Sequence, residues 1–302
     1  MKLGYHLVDV FAEAAFGGNP LAVFPDAAGV PAPLMQRIAN ELNLSETAFV
    51  LPADGPGADF RVRIFTPAVE MPMAGHPTVG TAHVLARLGR ITPAQTRVVF
   101  QEGVGPVPVA VAFEGGQPDL VTMDQPVPRF GAPWADRAAL ADLLSLDLAD
   151  LVPELPAEPG SAGVPFLFVP LKGLDAVRRA ALRLDRWARR LKDYEAPNVY
   201  VFTLETERPG STVHGRMFAP ALGIAEDPAT GAANGPLGAY LVRHGLATPG
   251  APLVSEQGFE MGRPSLLHLR VEGTPERIAR VTVGGRSVSL GQGQLELPDE
   301  AR

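Results

Sequence analysis

The chain has 302 residues, 46% of them apolar and 20% charged, and its 26 Lys plus Arg against 33 Asp plus Glu leave a net charge of −7. That composition excludes whole-chain disorder, offers no general attraction to phosphate backbones or anionic lipid, and suits two domains better than one. With no cysteine, disulfides, thiolate metal ligands and thiol nucleophiles are excluded, so any chemistry rests on oxygen and nitrogen groups.

No apolar run reaches the ~18 residues of a membrane span. Lys2, His6, Asp9 and Glu13 interrupt the start in a way a signal peptide does not. The expectation is a cytoplasmic protein with neither nucleic acid nor membrane as partner.

Leu3 to Phe11 alternates as a strand, and Leu21 to Phe24 follows as another after the turn Gly17-Gly18-Asn19-Pro20. Leu34, Ile38 and Leu42 recur every four residues behind Pro31 and Pro33, which predicts an amphipathic helix ending near Asn43. Thr47–Leu51 and Phe60–Phe65 read as adjacent strands. Gly75-His76-Pro77-Thr78-Val79-Gly80-Thr81-Ala82 then opens a helix that stops at Gly89. Strands follow over Arg97–Phe113, with Gly103-x-Gly105 as a turn rather than a phosphate loop. The domain boundary is expected in the Pro-rich stretch Gln117 to Pro133, and a helix over Asp136–Leu144 comes after it.

The pattern then recurs. Asp227-Pro-x-x-Gly-x-Ala stands 151 positions after His76-Pro-x-x-Gly-x-Ala, Arg216 stands 153 after Arg63, and Pro197-Asn198-Val199-Tyr200-Val201 lies opposite Glu46-Thr47-Ala48-Phe49-Val50 at the same 151. A repeat this long predicts two similar α+β lobes with a ligand cleft between them rather than a solenoid. The boundary is placed near residue 118, making 1–118 one lobe, with 286–302 a candidate to complete it, and 119–285 the other.

Each lobe offers a helix start marked by Pro and Gly, whose unpaired amides and dipole attract anions, so a small carboxylate is the expected ligand. The plainer reading is that such starts are common everywhere; their pairing favours function. His76 is the strongest histidine candidate, because imidazole exchanges protons near neutrality. His6, His83, His214, His244 and His268 are set aside as packing or surface residues. Asp227 reads equally as a helix cap. Glu46, between a helix and an apolar strand, is either a buried carboxyl of raised pKa fit for proton transfer or a solvated strand-edge carboxylate, and charge alone does not separate it from Glu41 and Glu70.

The blocks Val8-Asp9-Val10-Phe11, Gly18-Asn19-Pro20-Leu21-Ala22-Val23, Asn43-Leu44-Ser45-Glu46-Thr47 and Ala74 to Ala82 resemble the PhzF-like family of phenazine biosynthesis, relatives of diaminopimelate epimerase. So do Glu226 to Gly231, Gln257 to Pro264 and Val283-Gly284-Gly285. The resemblance implies an α+β fold of two pseudo-symmetric lobes of the diaminopimelate-epimerase type, each a strand barrel around a central helix, and a homodimer. It implies a cofactor-free, metal-free isomerase that moves a proton between carbons of a small carboxylic acid, cyclic or amino-bearing. Glu46, His76 and Asp227 would be catalytic, and Asn19, Ser45, Gly75, Pro77, Thr78, Gly231 and Ala232 would bind substrate. An epimerase or racemase of an amino or hydroxy acid, and a non-catalytic small-molecule binder, are the alternatives. Two-thiol epimerisation is excluded, and Ala232 stands where relatives often carry serine, which removes a hydroxyl from the site.

Overall fold

The computed structural model describes residues 1–297, and the chain forms two compact units. One comprises 1–124 together with the segment from Gly284 onward; the other is Gln125–Val283. Of the segment 286–302 proposed to complete the first lobe, 298–302 lie outside the described residues.

In the first unit β1 (Lys2–Val10) pairs antiparallel with β2 (Asn19–Phe24), and α1 (Ala32–Leu42) leads to β3 (Glu46–Leu51), which lies parallel to β2. Next, β4 (Phe60–Phe65) runs antiparallel to β3, and β5 (Glu70–Met71) antiparallel to β4. After α2 (Gly75–Arg87), β6 (Arg97–Glu102) lies parallel to β4, and β7 (Gly105–Glu114) and β8 (Gln117–Gln125) continue antiparallel.

The second unit contains β9 (Arg129–Phe130), α3 (Arg137–Leu143), β10 (Glu158–Ser161), β11 (Pro165–Pro170), α4 (Leu174–Arg179), α5 (Leu184–Arg190) and β12 (Asn198–Thr203). It continues through β13 (Val213–Ala219), β14 (Ile224–Asp227), α6 (Gly231–Arg243), β15 (Pro252–Gln257), β16 (Ser265–Thr274) and β17 (Arg277–Gly285). From β11 the order of pairings is that of the first unit from β2: parallel to β12, antiparallel to β13, antiparallel to β14, then β13 parallel to β15 and β15 antiparallel to β16. The last strand, β18 (Ser287–Glu296), returns to the first unit and pairs along the whole of β1.

Local chemistry accounts for these elements. α1 begins at Pro31 and stops where Asn43 takes a left-handed φ of 51°, and it buries Leu34, Met35, Ile38 and Ala39 in a cluster with Phe24, Phe49 and Phe65. Phe49 stacks on Phe24 at 4.8 Å and meets Phe65 edge-on at 5.6 Å. α2 is buried from Gly75 to Ala86, a central helix wrapped by its sheet. Its approach requires Gly80, where a Cβ would sit 2.6 Å from both Leu21 Cδ2 and Val10 Cγ2. α6 is the corresponding buried helix of the second unit.

One ion pair recurs in both units. Arg63 forks onto Glu70 with two 2.7 Å bonds beside the Phe65 ring, and Arg216 onto Glu226 at 2.8 and 2.9 Å beside Phe218. Glu70 is therefore committed to Arg63 and is no candidate for proton transfer.

The stretch Gln117 to Pro133 contains the division between the two units, which falls between Asp124 and Gln125 and not near 118. Its prolines stand at the start of β8 and beyond its end, while Leu120-Val121-Thr122-Met123 between them pairs with β7, so the expected boundary near 118 falls at the head of a strand and the first unit continues to Asp124. Among the described residues, no helix is long and apolar enough to cross a membrane.

Candidate active site

In the first unit Glu46 and His76 are brought together. Glu46 is the first residue of β3, paired in register with Leu21 of β2; His76 is the second residue of α2. Their Oε2 and Nε2 atoms stand 3.2 Å apart, with 12% and 4% of the side chains exposed. Glu46 is therefore not the solvated strand-edge carboxylate that the sequence left open, and Glu41, exposed on α1, is not part of this pair.

Burial pushes the His76 pKa down to about 3, which corrects the expectation of an imidazole titrating near neutrality. At physiological pH it is a neutral ring, able to donate from one nitrogen and accept at the other. The Glu46–His76 contact is thus a carboxyl beside a neutral imidazole.

The start of α2 carries no side-chain cap and no acidic residue in its first turn, and Pro77 has no amide hydrogen. Gly75 and Pro77 are both buried there. Thr78 is fully buried, and its hydroxyl lies 2.7 Å from the Ala74 carbonyl and 2.6 Å from Glu102 Oε1, so its polar atom is engaged inside the protein. Ser45 is partly exposed in the turn before Glu46. Asn19 is buried at the head of β2, opposite Val10. The loop before it is pinned by the buried Asp9, whose Oδ2 accepts the Phe16 amide at 2.7 Å.

In the second unit Asp227 closes β14 and does not cap a helix. The helix begins only at Gly231, with Thr230 in the capping position, so the reading of Asp-Pro as a helix start is overturned. The Thr230 hydroxyl donates to Asp227 Oδ2 at 2.5 Å and accepts from Gln257 Nε2 at 2.9 Å, and Nε2 also donates to the Asp227 carbonyl at 2.7 Å. Gln257 Oε1 accepts from the Thr230 amide, from Asn234 Nδ2 and from the Tyr200 hydroxyl at 3.1, 3.1 and 3.3 Å. One amide side chain thereby locks the turn from Asp227 to the first residues of α6. This helix start, too, lacks a side-chain cap and acidic residues; Gly231 is buried and Ala232 partly exposed.

Gln257 is itself held from behind. Gly258 has φ 78°, and a Cβ there would meet the Pro228 and Arg263 carbonyls at 2.5 and 2.6 Å. His214, set aside from sequence, lies fully buried between Glu256 (2.9 Å) and Glu260 (3.0 Å). Burial opposes its charge, but the two carboxylates overcome that and raise its pKa to about 9, leaving an imidazolium clamped at both nitrogens.

Thr230 and Gln257 stand inside motifs visible in the sequence, yet nothing there assigns them a role. Nothing in the sequence singles out Asn234, Tyr200 or Glu102 for a role, because the side chains they meet lie 23 to 57 positions away.

A family model described as phenazine biosynthesis-like protein matches residues 8–293. Among curated relatives, the trans-2,3-dihydro-3-hydroxyanthranilate isomerase of Pseudomonas fluorescens is 39% identical over 294 residues, covering 97% of this chain and 99% of that one. Among solved structures, a phenazine biosynthesis protein of the PhzF family from Bacillus anthracis superposes with a TM-score of 0.89 at 29% identity, over 98% of this chain and 100% of the other. A hydroxyproline epimerase from Agrobacterium vitis shares the fold, with a TM-score of 0.66 at 16% identity over 99% and 93% of the two chains.

Proposed function

From the premise that the chain belongs to the phenazine biosynthesis-like family and is an isomerase, we propose that it shifts a proton between carbons of a small carboxylic acid, with Glu46 as the group that takes and returns the proton. The observation that carries this is the Glu46 carboxyl, 12% exposed, 3.2 Å from an imidazole that burial keeps neutral, at an uncapped helix start.

A carboxylate shielded from water is a stronger base than a solvated one, and abstraction from carbon requires such a base held close to its target. His76 beside it, neutral, can donate a hydrogen bond as charge develops on the substrate, without itself having to lose a proton first. The amides at the start of α2 suit a substrate carboxylate, because that start has no side-chain cap and no acidic residue in its first turn. Asp227 is assigned an assisting role from the resemblance, and its carboxyl is held in one conformation by the Thr230 hydroxyl, which Gln257 fixes in turn.

The substrate class is a small acid, cyclic or amino-bearing, of the kind named for the Pseudomonas fluorescens relative. Ala232 supplies no hydroxyl, so selectivity at that position differs from relatives with serine.

Replacing Glu46 by Gln removes the base while keeping shape. With trans-2,3-dihydro-3-hydroxyanthranilate as the test compound in deuterated water, the expected result is a loss of turnover by about 10² or more with the fold intact. Undiminished turnover in Glu46→Gln would discard the assignment. Deuterium entering with inversion at one carbon, rather than at a second carbon, would replace proton shift by epimerisation.

A further inference from the structure

A hydroxyl group has one hydrogen, and Thr78 has two oxygens within bonding distance: the Ala74 carbonyl at 2.7 Å and Glu102 Oε1 at 2.6 Å. The carbonyl can only accept. If Thr78 gives its hydrogen to Ala74, the Glu102 contact needs a hydrogen from the carboxyl; if Thr78 gives it to Glu102, two bare oxygens are left 2.7 Å apart in the protein interior. A protonated Glu102 satisfies both contacts at once.

The surroundings agree. Glu102 is only 6% exposed, and its Oε2 has no hydrogen-bond partner among the described residues. A carboxylate there would leave a charged oxygen buried and unsolvated, far costlier than a neutral carbonyl-type oxygen.

We infer that Glu102 is a buried neutral carboxylic acid that donates its proton to Thr78 and thereby acts as a positioning residue for the first turn of α2, where His76 stands. Its place in the active site rests on the function proposed above; its protonation does not. The hairpin that carries it is seated on the segment that leads into that turn. The Val104 amide donates to the Pro72 carbonyl at 3.0 Å, and a Cβ at Gly103 would lie 2.7 Å from Pro72 Cα. Strand and helix start are thus joined by the hairpin backbone and by the acid.

Charged neighbours do not alter this. On β6 the adjacent Gln101 points to the other face, toward Asp54, and Asp54 pairs with Arg61 of β4 at 2.8 Å. On α2 the nearest titratable residue in sequence, His76, is uncharged at physiological pH. Across the hairpin Glu102 faces Gly105. Burial pushes the Glu102 pKa up to about 8, against a smaller opposing effect of the Thr78 hydroxyl. Above that pH the acid ionises, Thr78 turns its hydrogen to the carboxylate, the Ala74 carbonyl keeps only the Thr78 amide at 3.4 Å, and a negative charge appears beside the helix start that would otherwise hold an anion.

The test uses the full chain without substrate. Infrared difference spectra of the wild type between about pH 6 and about pH 10 are expected to lose one protonated-carboxyl band with a midpoint near 8, and Glu102→Gln to lack that loss. The NMR signal of the His76 ring, assigned with His76→Asn, is expected to shift at the same midpoint in the wild type. In Glu102→Gln, whose amide still donates to Thr78, it should stay at its low-pH position throughout. An ionised Glu102 at pH 6, or a His76 signal indifferent to the transition, overturns the inference. Both readouts are independent of turnover, so a failure of the Glu46 assignment is recognised separately by an active Glu46→Gln.

Discussion

The Thr230 hydroxyl offers a sharp test of how the second unit holds its carboxylate. Thr230→Val keeps the shape of the side chain and removes two bonds: the 2.5 Å donation to Asp227 Oδ2 and the 2.9 Å acceptance from Gln257 Nε2. The first is charge-assisted and contributes about 1.5–3 kcal/mol. The second leaves a buried amide hydrogen of Gln257 unsatisfied, although Nε2 keeps its bond to the Asp227 carbonyl, and costs about another 1 kcal/mol. A methyl in place of the hydroxyl returns a few tenths, so the net expectation is a loss of about 2–4 kcal/mol in urea denaturation. Asp227→Ala alone and the double variant complete a cycle whose coupling should be about 1.5–3 kcal/mol, because the two groups touch. A coupling below about 0.5 kcal/mol, the range of independent sites, would refute the claim that Thr230 is what holds Asp227.

Other outcomes follow from the same structure. Gly80→Ala forces a methyl against Leu21 and Val10 and is expected to destabilise the first unit by about 1–3 kcal/mol, read by thermal melting; a neutral effect would mean that α2 is not seated as closely as 2.6 Å implies. His214→Gln leaves Glu256 and Glu260 buried without their cation and should cost about 3–5 kcal/mol at neutral pH, a far larger loss than an exposed histidine would show. His214 has its folded pKa raised from 6.5 to about 9, so its contribution is complete below 6.5 and disappears as pH rises through 9. Glu102 acts in the same direction over a lower window, from 4.5 to about 8, at up to about 1.4 kcal/mol per pH unit. The wild type should therefore lose stability from neutral into alkaline pH, and Glu102→Gln should show a shallower slope between about 5 and about 8; parallel curves for the two proteins would contradict the raised pKa.

His76 shows why residue type alone does not assign a catalytic role. An imidazole in water is half protonated near 6.5, yet here burial holds it neutral down to about 3. It enters the proposed chemistry as a neutral ring beside Glu46 and a hydrogen-bond partner of the substrate rather than as an acid already carrying a proton to give. Buried charge is handled differently in the second unit, where His214 keeps its proton because two carboxylates face it. The same side chain thus has opposite protonation in the two places, decided by what surrounds it.

The order of the elements was legible in the chain itself. Proline and glycine punctuation, the four-residue period of α1 and the apolar runs of β3, β4 and β12 are local features that backbone sterics and binary patterning translate directly into helices and strands. Not every element was: β8 was hidden because flanking prolines imitate a domain boundary when the pairing partner is unknown, and no reading covered β10, β11 or α4. Glu46 and His76 were also legible as candidates, through motif resemblance, though not their 3.2 Å approach. Tertiary structure alone decided the rest: that Asp227 is gripped by Thr230 and Gln257 instead of capping α6, that His76 is neutral, and that Glu102 meets Thr78. Thr78 and Glu102 stand 24 positions apart and Asp227 and Gln257 stand 30 apart, and both proton affinity and hydrogen-bond satisfaction are set by such neighbours and by the exclusion of water around them, which no local pattern encodes.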